Sequence, residues 1–127
     1  MKREVININK LIPGVGRSEE WKAWKIFLQT YTGKLDDLQR DGTLWSLKLL
    51  HDDIKENGTL NPLIVEEMPN PNYYKVLIGN QRLLVQSVLN YHFVMCIVKE
   101  KNKSHSEVYE DLKKDYKDTH YDKTRRE

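Results

Sequence analysis

A chain of 127 residues, 39% hydrophobic and 31% charged, is the size of one domain and buries a core without metals or disulfides. Its 21 basic and 19 acidic residues leave a formal charge of +2, too little to hold nucleic acid by charge alone, although a local basic pocket stays open. No apolar run reaches membrane-span length, the start MKREVININK lacks a secretory stretch, and the single Cys96 has no partner for an internal disulfide, so a reducing cytoplasm is the expected setting.

Residues 4–8 alternate (Val5, Ile6, Ile8) as a short strand, stopped by Pro13 and Gly14-Val15-Gly16. Ser18 followed by Glu19 and Glu20 starts a helix, because carboxylates favour the positive end of its dipole; Trp21, Trp24, Ile26, Phe27 and Leu28 follow at helical spacing. Gly33 breaks that pattern, and residues 34–42 read equally as a short helix or a loop. From Thr43, Leu47, Leu50 and Ile54 share one helical face, with Asn57-Gly58 as a left-handed stop. Pro62 to Val65 and Tyr73 to Ile78 read as two strands of a hairpin joined by the turn Met68-Pro69-Asn70-Pro71-Asn72. Residues 81–89 form an amphipathic helix with Leu84, Val85, Val88 and Leu89 inward, and Asn90 as its cap. Phe93 to Val98 is an unbroken apolar run, read as a central buried strand in which Cys96 is an inert thiol. Ser104 and Glu107 have capping-box spacing ahead of a charged helix carrying Val108, Leu112 and Tyr116, and the final DKTRRE is expected to fray. The pattern is that of a small α/β domain.

One step in this order is suited to chemistry. At Gly79-Asn80-Gln81-Arg82 a strand turns directly into a helix, leaving backbone N–H groups unpaired at the positive end of the dipole, where an anion is attracted. Gly79 allows close backbone approach, Arg82 offers a planar fork to phosphate oxygens, and Asn80 either caps the helix or bonds a ligand. Other clusters are weaker. His51, His92, His105 and His120 lack metal-site spacing, and His51-Asp52-Asp53 reads as a solvated helix face. Trp21, Trp24 and Trp45 either fill the core or form an aromatic face for a partner or for bases; core is the preferred reading.

The order of pieces resembles the ParB/sulfiredoxin superfamily, in the form of a stand-alone ParB N-terminal-like domain. The resemblance rests on three motifs: Ile6-Asn7-Ile8-Asn9-Lys10-Leu11-Ile12-Pro13; Ile54 to Gly58 followed by Asn61-Pro62-Leu63-Ile64-Val65; and Tyr74 to Ile78 running into Gly79-Asn80-Gln81-Arg82. It implies an α+β fold, a small mixed sheet with flanking helices. Residues 1–103 would form the domain, with a helical insertion at about 18–45, and 104–127 a charged C-terminal helix and tail. It also implies that Gly79, Asn80, Gln81 and Arg82 cradle a nucleotide or other phosphate-bearing ligand, with magnesium as its companion. Arg17, where the family often has a Pro-Arg pair, would be a second contact. ParB proteins that hydrolyse CTP have G-E-R-R at this turn, sulfiredoxins a cysteine and related free-serine kinases G-H-H-R. Asn80 and Gln81 supply none of these groups, so binding is expected rather than catalysis. ParB proper adds helix-turn-helix and dimerisation domains after this unit, for which the chain is too short, and DNA reading by that route is not expected. A phage or plasmid origin fits a lone domain of this kind. The alternatives are a non-catalytic interaction module, using Trp21, Trp24 or the C-terminal helix, and a ParB-like nuclease with Glu66-Glu67 beside a bound phosphate; nucleic acid is the lesser partner.

Overall fold

The computed structural model describes residues 2–14, 19–58, 61–99, 104, 106 and 107. Among the described residues eight elements are bounded: β1 (Lys2–Asn7), β2 (Leu11–Ile12), α1 (Glu19–Thr30), α2 (Thr43–Asn57), β3 (Leu63–Glu67), β4 (Tyr74–Ile78), α3 (Asn80–Val88) and β5 (Phe93–Val98). Short 3-10 turns occupy Ile8–Lys10 and Leu35–Asp37. The five strands form one mixed sheet in the order β1-β5-β3-β4-β2. β1 runs antiparallel to β5 and β3 antiparallel to β4, whereas β3–β5 and β2–β4 are parallel pairs. This is the expected α+β mixed sheet with helices.

The amphipathic helices lie against one face of the sheet. Leu47, Leu50 and Ile54 of α2, Leu83, Leu84 and Val85 of α3, and Trp21 and Leu28 of α1 join Leu63, Val65, Val76, Val94 and Cys96 in one core. Burying each such side chain contributes roughly 1.5–3 kcal/mol against the entropy of ordering the chain. Alternation along β3 sends Ile64 the other way, where it meets Ile97 and the partly buried Ile78 in a separate small cluster.

Local chemistry sets the element ends. Gly58 closes α2 with its N–H on the Ile54 carbonyl, at φ 75° and ψ −179°, a conformation that glycine alone adopts readily. Asn90 follows α3 at φ 63°, in the left-handed region that asparagine tolerates. Glu107 N–H donates to Ser104 Oγ at 3.2 Å, half of the expected capping box; Val108, Leu112 and Tyr116 lie outside the described residues.

Three expectations need correction. The first strand begins at Lys2 and ends at Asn7, because the Asn7 side chain accepts Asn9 N–H at 2.9 Å and opens a 3-10 turn at Ile8, whose own N–H still reaches the His92 carbonyl at 2.9 Å. The apolar run of β5 is interior to the sheet but covered on only one face in its first half: Phe93 is 61% and Met95 45% exposed. The face of α2 bearing His51-Asp52-Asp53 is not simply solvated, since His51 and Asp53 are buried and only Asp52 reaches water. Asp52 Oδ1 lies 2.9 Å from Lys48 Nζ and 3.0 Å from His51 Nδ1. Burial would raise its pKa, but these two hydrogen bonds prevail and hold the carboxyl below the usual range.

Cys96 behaves as expected of a core thiol. It is fully buried, and burial, with a smaller contribution from Glu4, pushes its pKa up to about 12. A thiol reagent at pH 8 should therefore leave the folded protein unlabelled and react fully after denaturation; rapid native labelling would contradict the packing. Because the folded pKa is raised, the thiol stabilises the fold at and below pH 9.0, and that contribution is lost as pH climbs from there to about 12.

Candidate phosphate-binding turn

α3 starts at Asn80 because Gly79 breaks β4 in a left-handed conformation, φ 101° and ψ 24°. A Cβ at Gly79 would lie 2.6 Å from Leu63 Cδ2, so glycine is required both by backbone angle and by the packing of this turn on β3. No side chain caps the helix. The first helical bond is Leu83 N–H to the Gly79 carbonyl at 2.9 Å, so the N–H groups of residues 80, 81 and 82 have no intrahelical acceptor. The dipole adds partial positive charge at that point.

Arg82 folds back over the turn. One of its guanidinium nitrogens donates to the Pro62 carbonyl at 3.4 Å, a long bond that holds the fork at the start of β3 without burying it. The guanidinium lies 3.8 Å from where a Gly79 Cβ would stand, so Gly79 and Arg82 occupy one small region. Gln81 is exposed beside them. The structure thus brings Gly79, Gln81 and Arg82 together; Arg17 lies outside the described residues.

Asn80 has a different task from capping. Its side-chain oxygen accepts Gly14 N–H at 2.8 Å, and its amide nitrogen lies 3.5 Å from the Val76 carbonyl. Gly14 fits because a Cβ there would fall inside the contact radius of that same carbonyl oxygen. The amide of Asn80 therefore pins the segment after β2 to the start of α3. Gly14 and the Pro62 carbonyl are parts of the turn that residue-by-residue reading passes over. The doublet Pro13-Gly14 was the available signal, and it reads only as a strand stop.

Other candidates disperse. Glu66 pairs with Lys99 at 3.6 Å while Glu67 stands exposed at the end of β3, opposite Tyr74. Among the described residues no three His, Cys, Asp or Glu side chains gather as metal ligands, and no helix is long and apolar enough to cross a membrane. Trp21 is buried and Trp24, partly buried, packs on the core, so α1 uses both to dock on the domain.

The profile of the ParB N-terminal domain family matches residues 37–111, more than half of the chain. The chain belongs to that family. Among solved structures, the C-terminally truncated chromosome-partitioning protein ParB from Caulobacter crescentus, complexed with CTP-gamma-S, superposes with a TM-score of 0.52 at 18% identity. The match covers 87% of this chain and 50% of that one, so this family member spans half the length of its ParB counterpart and shares its fold. Sulfiredoxin from Arabidopsis thaliana gives a TM-score of 0.48 at 14% identity, over 88% of this chain and 98% of that one. No curated protein matches the sequence.

Proposed function

We propose that this domain binds a nucleotide through its phosphates at the Gly79–Arg82 turn. The observation that carries the reading is the uncapped N-terminus of α3 with the Arg82 guanidinium laid across it, a charged fork and several N–H donors converging on one spot. The ParB structure that shares this fold was crystallised with a CTP analogue, which makes CTP the first nucleotide to test. Gly79 and the N–H groups of Asn80, Gln81 and Arg82 would cradle phosphate oxygens, and Arg17 would add a second cation. A magnesium ion would be carried by the ligand's phosphates, since no cluster of protein ligands forms among the described residues. Catalysis is not part of the reading, because the neutral Asn80 amide cannot take a proton from an attacking water. Calorimetric titration with the four nucleoside triphosphates, with and without magnesium, tests it; absence of saturable heat across the set would refute it.

Asn80→Asp separates the pinning role from the charge at the site. The carboxylate still accepts Gly14 N–H and gives up only the long 3.5 Å contact of the amide nitrogen with the Val76 carbonyl, so the fold should hold, while a negative charge beside the phosphates opposes them. Nucleotide affinity should fall about tenfold or more, with little change in Tm. Unchanged affinity would place the phosphates elsewhere.

A further inference from the structure

We propose a second ligand site, a cavity between α1, α3 and the segment joining β1 to β2, that takes a small organic anion with a flat apolar body. The cavity has a volume of about 360 Å³, within the roughly 300–1,000 Å³ usual for small-molecule sites. Ile8, Leu11, Trp21 and Leu83 give it apolar walls, while Asn9, Lys22, Lys25 and Ser87 are its polar lining. Trp21 and Lys25 stand one helical turn apart on α1, as do Leu83 and Ser87 on α3, so both helices present one face to the same space.

Charge decides the class of ligand. Two lysines line the cavity and no acidic residue does. Lys22 is shared with Glu19 at 3.5 Å, an exposed pair of little strength. Lys25 forms no ion pair among the described residues and is half-buried, so its ammonium is available to an incoming carboxylate, sulfonate or phosphate. An apolar body gains by covering half-buried Ile8 and the edge that Trp21 leaves open, and the anion gains at Lys25; each alone uses half the site.

The cavity is separate in origin from the turn. Apart from Leu83 and Ser87, every residue lining it precedes position 37, where the family match begins. α1 supplies Trp21, Lys22 and Lys25 to its lining, and the segment after β1 supplies Ile8 and Asn9. Arg82 reaches the Pro62 carbonyl, whereas Leu83 and Ser87 face α1, so the two sites occupy different flanks of α3.

Naphthalene sulfonate is the probe, titrated by calorimetry into the full chain, with neutral naphthalene and inorganic sulfate as half-ligands. One saturable site is expected, with either half-ligand bound at least about tenfold more weakly. Lys25→Met should weaken the sulfonate about tenfold and leave neutral naphthalene unaffected; Ser87→Phe should fill the cavity and abolish binding. Phe93→Ser, on the exposed sheet face, should change nothing. Lys25 is partly exposed and its variant should fold, so the test stands even if Ser87→Phe does not. Equal affinity for the neutral compound, full affinity in Lys25→Met, or loss in Phe93→Ser would each overturn the proposal.

Discussion

Arg82→Ala is expected to cut nucleotide affinity by roughly ten- to a hundredfold, since a charged hydrogen bond of this kind contributes about 1.5–3 kcal/mol. The bond that Arg82 makes to the Pro62 carbonyl is long, and the side chain is only half-buried, so the variant should remain folded by circular dichroism. Arg82→Lys sharpens the test. It keeps the positive charge but replaces a rigid fork with a single ammonium, and should recover only part of the affinity. Isothermal titration with CTP and its three counterparts gives the comparison. Full binding by Arg82→Ala would remove the guanidinium from the site.

Gly79→Ala is expected to be the most damaging small substitution in the domain. At φ 101° an alanine meets left-handed backbone strain of about 1–2 kcal/mol. Its Cβ would also press on Leu63 Cδ2, in a β3 residue with no exposed surface. Overpacking of this sort costs about 1–3 kcal/mol, for a total of roughly 2–4 kcal/mol. In a domain of this size that lowers Tm by roughly 8–15 °C, measurable by calorimetry. The same variant should lose nucleotide affinity, because moving the turn redirects the N–H groups behind it. A Tm within a degree of the parent would mean that Leu63 has room to spare.

Gly79 was legible in the sequence because glycine accepts the positive φ that this turn adopts, and Arg82 stood out because a planar guanidinium suits the phosphate proposed above. The helices were legible for a similar reason. Leu47, Leu50 and Ile54 repeat at a helical period, and Asn57-Gly58 can do little else but stop α2. What could not be read were facts of tertiary contact. Asn80 looks like a cap until its oxygen is found on Gly14, a partner far away in sequence. β2 is two residues long, and only its register against Tyr74 and Lys75 makes it a strand. The apolar run of β5 promises two covered faces, but no periodicity says that the face holding Phe93 and Met95 is open. His51 and Asp53 look wet by composition; their burial follows from which side of α2 the other helices choose.

The placement of β1 and β2 carries a consequence for how the chain comes to fold. A single stretch, residues 2–12, supplies the strands at the two opposite margins of the sheet. Lys2 pairs with Val98 and Leu11 with Tyr74, so this stretch leaves the ribosome ahead of every residue it must join. Its ladders close late, after β3, β4 and β5 exist, and pairings of such long range are slow. Until then both margins stand unpaired, open to any strand nearby, and it is in this interval that the chain is most exposed to misassociation.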